Sequence, residues 1–126
     1  MARIILGVSA GIAAYKSADL ASRLAQRGDE VRAVLTPNAL QFVTALTFRT
    51  VTRQPAYVDS FADDPSHRPD HIALPEWADV IAIAPATADV IGRLAAGLGD
   101  QLLTVTVLAS DSPVLLAPSI DRKSVV

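Results

Sequence analysis

Within its first fifty residues the chain alternates twice between a short apolar segment and a segment with helical spacing. That alternation limits the fold more than any other feature. Residues 4–8 (IILGV) are apolar without interruption, as a strand must be when both its faces are buried. Gly11 opens a turn, and residues 13–27 carry Ala14, Ala18, Ala21 and Leu24 on one helical face. Gly28 stands just past that helix, where a left-handed residue ends it. Residues 30–35 (EVRAVL) read as a second strand, followed by Thr36-Pro37-Asn38 and a short helix through about Leu46. Strand–helix–strand–helix order predicts an α/β fold with a doubly wound parallel sheet.

The second half repeats the pattern after an interruption. Residues 51–69 contain Pro55, Pro65 and Pro69 with Asp59, Asp63 and Asp64, and read as an irregular surface connection. A short helix or turn is expected over 71–78, a third strand over 79–83 and a helix over 87–96. Another helix follows over 98–108, and a fourth strand over 113–117. The 126 residues are 51% apolar but only 5% aromatic, so the core is built from Ala, Val, Leu and Ile, as helices packed on a parallel sheet require. The chain is read as one domain, 1–126.

Composition also excludes functions. With no cysteine, the chain offers no disulfide framework, thiolate metal site or cysteine nucleophile, and a cytoplasmic setting fits. Net charge is −2 with eleven scattered basic residues, which leaves no footprint for a nucleic-acid backbone. Apolar stretches are broken by Gly, Pro or Asp too often to span a bilayer. Asp63-Asp64 has no His or Glu partner at ligand spacing, so no metal site is expected.

Open parallel sheets bind ligands outside the carboxyl ends of their strands. Four such ends are legible: Ser9-Ala10-Gly11-Ile12, Thr36-Pro37-Asn38, Ala84 through Asp89 (APATAD), and Ala117 through Asp121 (APSID). Each joins small residues to a hydroxyl or amide. Free N–H groups at a helix start attract an anion such as phosphate, and small side chains let a flat ring approach the backbone. Neither a G-x-G-x-x-G fingerprint nor a P-loop is present. Taken alone, the glycine turn is equally a tight connection and Thr87 equally a helix N-cap; together the four ends favour a phosphorylated planar ligand. His71 is either a structural histidine or an acid–base group working near neutral pH. His67 reads as solvated and Trp77 as a core or interface anchor.

Four stretches, "SAGIAAYKSADL", "VRAVLTPNALQFV", "HIALPEWADVIAIAPATADVIGRLAAGLGDQLL" and "PVLLAPSID", resemble in order and spacing the flavoproteins that include the phosphopantothenoylcysteine and lantibiotic cysteine decarboxylases. The resemblance reaches residue 121 and implies a three-layer flavodoxin-like or Rossmann-like fold binding FMN, as a homotrimer or an assembly of trimers with the flavin at a subunit boundary. It implies that Ala10, Gly11 and Ile12, with Thr36, Pro37 and Asn38, hold the phosphate and ribityl chain. Thr87, Ala88, Asp89 and Val90 would border the flavin, and Ser119 would close the pocket. Asp89 stands where many relatives have Asn. His71, in the family's His-Ile-x-Leu motif, takes the catalytic position. The implied reaction, in coenzyme A biosynthesis, oxidises a cysteinyl thiol to a thioaldehyde, with loss of CO2 to an enethiol; 4′-phosphopantothenoylcysteine is the expected substrate.

Two departures qualify this. The family's Pro-x-Met-Asn motif places an Asn against the substrate carboxylate, whereas this chain has Pro118-Ser119-Ile120-Asp121. A second carboxylate there opposes binding unless Asp121 is protonated or re-aimed. The family's further strand and cysteine-bearing flap are also missing from the sequence. The expectation is a chain that binds FMN without completing phosphopantetheine formation. The alternative is a flavin-binding or regulatory relative that has lost decarboxylation.

Overall fold

The computed structural model describes residues 1–58 and 70–119, the side chains of 70–72 excepted. Five parallel strands form one sheet: β1 (Arg3–Val8), β2 (Glu30–Leu35), β3 (Ala56–Val58), β4 (Val80–Ala86) and β5 (Val114–Pro118), in the order β3-β2-β1-β4-β5. Order reverses between β1 and β4, the mark of double winding. Helices α1 (Ala14–Gln26) and α2 (Ala45–Thr52) follow β1 and β2. Helix α3 (Asp70–Trp77) precedes β4, and α4 (Ala88–Ala95) and α5 (Leu102–Leu108) link β4 to β5.

Strand β1 pairs with β2 from Arg3↔Glu30 to Val8↔Leu35 and with β4 from Ile4↔Val80 to Gly7↔Ile83. Its side chains alternate between two cores. Ile4, Leu6 and Val8 join Val31, Ala33 and Leu35 under Ala14 and Ala21 of α1 and Phe48 of α2. Ile5 faces the other way, with Val34, Ile81 and Ile83 against Leu74, Val90, Leu102 and Leu103 of α3, α4 and α5. The doubly wound three-layer expectation therefore holds.

Boundaries differ in instructive places. The irregular stretch contains a strand, β3, so the sheet has five strands rather than four; three residues beside Pro55 are too few to show a pattern. The helix expected to end near Leu46 is a 3₁₀ turn (Pro37–Gln41) followed by α2, which runs on to Thr52. The last helix starts at Leu102 rather than 98, because Gly97 turns left-handed (φ 70°) and Gly99 and Asp100 follow it. Gly28 is the left-handed residue after α1 (φ 102°), with Gly28 N–H on Ala25 O and Asp29 N–H on Leu24 O, a Schellman ending.

Two positions hold the layers close. A Cβ added to Gly7 would lie 2.6 Å from Leu103 Cδ1 and 3.2 Å from Ile83 Cγ1; Leu103 is fully buried, so it has little room to withdraw. At the opposite edge of the sheet, Asp29 accepts the Ala2 N–H at 3.0 Å and pairs with Arg27 at 2.5 Å. The Ala2 amide first, and then Arg27, hold its carboxyl below the usual aspartate range.

Two outcomes follow from this packing. Gly7→Ala should lower stability by about 1–3 kcal/mol through overpacking, less the ~0.4–1 kcal/mol that a stiffer unfolded chain returns, read as a lower urea midpoint at unchanged slope. Asp29 lends stability that is present above the ordinary aspartate pKa of about 3.9 and is lost as pH falls through its lower folded value. Wild type should therefore lose more stability than Asp29→Asn between about pH 5 and pH 2. Parallel stability–pH curves for the two proteins would contradict this role for Asp29.

Candidate functional site

All strands being parallel, the four ends singled out in the sequence emerge at one edge of the sheet. Backbone bonds sew them together. Thr36 N–H donates to Val8 O at 2.9 Å, Ser9 N–H to Pro85 O at 3.4 Å, and Ser119 N–H to Ala86 O at 3.0 Å. The ends of β2, β1, β4 and β5 thus form a continuous seam, with the switch point at its centre. The structure brings the first-loop residues, Thr36, Thr87 and Ser119 to that seam.

The loop after β1 is held by Gly11, whose φ of 151° only glycine adopts readily, and a Cβ placed there would meet nothing within 4 Å. The N-cap of helix α1 is Ala13, which supplies no side-chain cap. Turn bonds from Ala14, Tyr15 and Lys16 reach back to Gly11, Ile12 and Ala13 carbonyls, while the N–H groups of Gly11, Ile12 and Ala13 find no acceptor among the described residues. Uncapped N–H groups at the positive end of a 13-residue helix have the chemistry that suits an anion.

Helix α4 starts differently. Thr87 is its N-cap, accepting from Val90 N–H at 3.3 Å, so the capping reading of Thr87 is correct. Its own N–H donates to the Ser9 hydroxyl at 3.1 Å. Ala88 is exposed and Val90 buried. The Asp89 carboxylate accepts from Arg93 at 2.9 Å, one turn on, and Arg93 also pairs with Asp100. Those bonds, to Asp89 and then Asp100, raise the Arg93 pKa above its usual value. Beyond β2, Thr36 is buried, whereas Pro37 and Asn38 are exposed.

A cavity of about 340 Å³ opens beside the seam, between α1 and the ends of β4 and β5. Lys16, Ser17 and Leu20 line it from α1, opposite Ala84, Pro85, Ala117 and Ser119. Of the residues expected to contact ligand, only Ser119 lines it. Lys16 and Ser17 were not anticipated, although the signal was available: with Ala13 and Leu20 they form an i, i+3, i+4, i+7 stripe beside the one that covers the sheet. His71 lies in the first turn of α3, at the helix end away from Asp79, whose N–H donates to Arg3 O at the amino edge. Asp121, His67, Asp63 and Asp64 lie outside the described residues. Among the described residues no His, Asp or Glu cluster could hold a metal, and no helix is long and apolar enough to cross a membrane.

The strand order defines a doubly wound α/β protein, and its switch point carries an uncapped helix start, a glycine turn and small residues, features suited to an anionic ligand. More particularly, the chain belongs to the Flavoprotein family, whose pattern it matches over residues 1–124. It is 49% identical over 122 residues to the coenzyme A biosynthesis bifunctional protein CoaBC of Vibrio vulnificus (strain YJ016), covering 96% of this chain and 30% of that protein. Against CoaBC of Bacillus subtilis (strain 168), identity is 44% over 118 residues, covering 94% and 29%. The chain thus spans less than a third of the length of these curated relatives. Among solved structures, it matches the FMN-dependent cysteine decarboxylase SpaF with a TM-score of 0.87 at 30% identity, covering 98% of this chain and 71% of that one. A PPC decarboxylase variant complexed with pantothenoylaminoethenethiol gives 0.81 at 32% identity, covering 96% and 68%.

Thr87→Ala removes the α4 cap and should cost about 1 kcal/mol. Thr87→Ser should keep most of that stability in the same urea titration; an Ala variant as stable as wild type would remove the cap from the account.

Proposed function

We propose that this chain binds FMN at the carboxyl edge of the sheet and works as the decarboxylase part of a coenzyme A biosynthetic enzyme, with 4′-phosphopantothenoylcysteine as substrate. The observation that carries the reading is the seam of strand ends around the uncapped start of α1, in a chain of the Flavoprotein family. The relatives named for FMN-dependent decarboxylation and for coenzyme A biosynthesis support it.

The residues fit the cofactor. The free N–H groups of Gly11, Ile12 and Ala13 suit the phosphate, with Ala10 leaving the turn unobstructed. Thr36, Pro37 and Asn38 suit the polyol chain. Ala88, Asp89 and Val90 continue the small-residue rim from Thr87, along which a flat ring fits, and Ser119 closes the far side. When bound, FMN supplies the oxidation of the cysteinyl group that makes loss of CO2 feasible. His71 is assigned as the base that removes a proton from the substrate, and Asp121 to the position beside the substrate carboxylate.

A homotrimer is part of the proposal: Ile12 (79% exposed) and Tyr15 (59%) adjoin the first loop, and Phe42 (46%) follows the second, apolar surface that a subunit boundary would cover. So is a cytoplasmic location, which a chain without cysteine suits.

The purified protein should take up FMN stoichiometrically, seen as a flavin absorbance band that co-elutes with it. FMN-loaded protein given 4′-phosphopantothenoylcysteine should release CO2. His71→Asn should slow that release by about 10²–10⁴-fold, the usual worth of acid–base catalysis, with FMN binding retained. Equal rates would remove His71 from the chemistry. Tight FMN binding with no CO2 from either protein would favour the second reading, flavin binding without turnover, which Asp121 in place of Asn supports.

A further inference from the structure

The end of β4 does not follow the ladder. Ile83 pairs with Leu116 and Ala86 with Pro118, so three steps along β4 answer two along β5, and one residue is extra. Pairing with β1 has also stopped, at Gly7↔Ile83. The carbonyls of Ala84 and Pro85 thus leave the sheet at the place where these two residues line the cavity. A bulge of this kind re-aims a strand end beside a site, and its freed polar groups need other partners.

Two serines supply them. Ser9, beyond β1, donates its hydroxyl to Pro85 O at 2.5 Å and accepts the Thr87 N–H at 3.1 Å, so one oxygen spans the bulge. Ser17, on the cavity stripe of α1, donates to Ala84 O at 2.5 Å. Both serines are buried, at 1% and 3% exposure, so water cannot readily replace either bond. The Ser9 N–H reaches Pro85 O only at 3.4 Å; the hydroxyl is the closer donor.

We propose that Ser9 and Ser17 are positioning residues, whose hydroxyls fix the bulged Ala84–Thr87 end of β4 in the shape that seats the cofactor ring. This rests on the FMN reading and assigns neither serine to the chemistry. Each acts through backbone it holds: Ser9 sets where α4 begins, and Ser17 couples that rim to the helix whose start is the phosphate site. The prediction concerns ligand affinity more than overall stability, because the bonds converge on the rim and not on either core.

The test titrates apoprotein with FMN, following flavin fluorescence, and measures urea midpoints for the same proteins. Thr106→Ala serves as control: its buried hydroxyl donates to Leu102 O at 2.6 Å inside α5. Ser9→Ala and Ser17→Ala should each raise the FMN dissociation constant at least tenfold. Ser9→Thr, which keeps the hydroxyl, should stay within threefold of wild type, and Thr106→Ala within twofold despite its own loss of stability. Alanine variants that bind within twofold of wild type overturn the proposal and leave the FMN reading intact. A Thr106→Ala loss as large as theirs also overturns it, since the effect then tracks stability. Wild type that takes up no FMN overturns both. Should Ser9→Ala not fold, Ser17→Ala decides by the same criteria.

Discussion

Strand β1 is hydrogen-bonded along both edges and packed on both faces, and the rest of the fold is arranged by what that demands. A six-residue segment can satisfy it only by being apolar at every inward position. It must also be thin where the layers come closest. Gly7 is that thin point: its missing Cβ lets Leu103 of α5 reach the sheet beside Ile83. Because β1 is central, the element after it has no room to spread sideways. The turn at Gly11 therefore sends the chain back over the sheet as α1, whose Ala14 and Ala21 pack against β1, and the helix starts beside the carboxyl end of the central strand.

The carboxyl edge divides its backbone groups between two uses. Some are consumed laterally, tying β2 to β1, β1 to β4 and β4 to β5. Others stay free, namely the N–H groups at the start of α1. The division follows from side chains. Thr87 caps its own helix, leaving α4 less to offer a ligand, whereas Ala13 cannot cap α1. Buried backbone groups without partners are costly, so free N–H groups persist only where solvent or a ligand reaches them. The same accounting explains the two seryl hydroxyls, which take up the carbonyls released where β4 bulges.

The sequence makes the central layers legible, and the reasons are physical. Beyond Arg3 both faces of β1 are buried, so its apolar run cannot be confused with an amphipathic strand; in β2 the signal comes from Val31 and from Ala33, Val34 and Leu35, which Glu30 and Arg32 interrupt. The four ends were visible because glycine, proline and small polar residues mark strand-to-helix turns. What escaped was either too short or too tertiary. Strand β3 has three residues, fewer than two periods of alternation. Helix α2 was hidden because the proline turn before it looks like a helix start, so its beginning and end were both misjudged. Lys16 and Ser17 stand on a second stripe of α1 that is legible as spacing, but nothing local says that this stripe faces a cavity rather than solvent. No local pattern reports that Ser9 will meet a proline carbonyl 76 residues away.

Charge placement bears on what the edge will accept. An anion seated at α1 is helped by the helix dipole only if no carboxylate faces it across the seam. Asp89, in the first turn of α4, is directed along its own helix to Arg93, which also binds Asp100. The arginine draws two carboxylates toward the α4–α5 connection, and Lys16 adds a cation on the cavity side. An exposed pair of this kind stabilises little on its own; its effect is to set where the negative charge sits. Arg93 at the following turn, with its planar fork able to take a second acid, directs the Asp89 carboxylate along α4 and away from the start of α1.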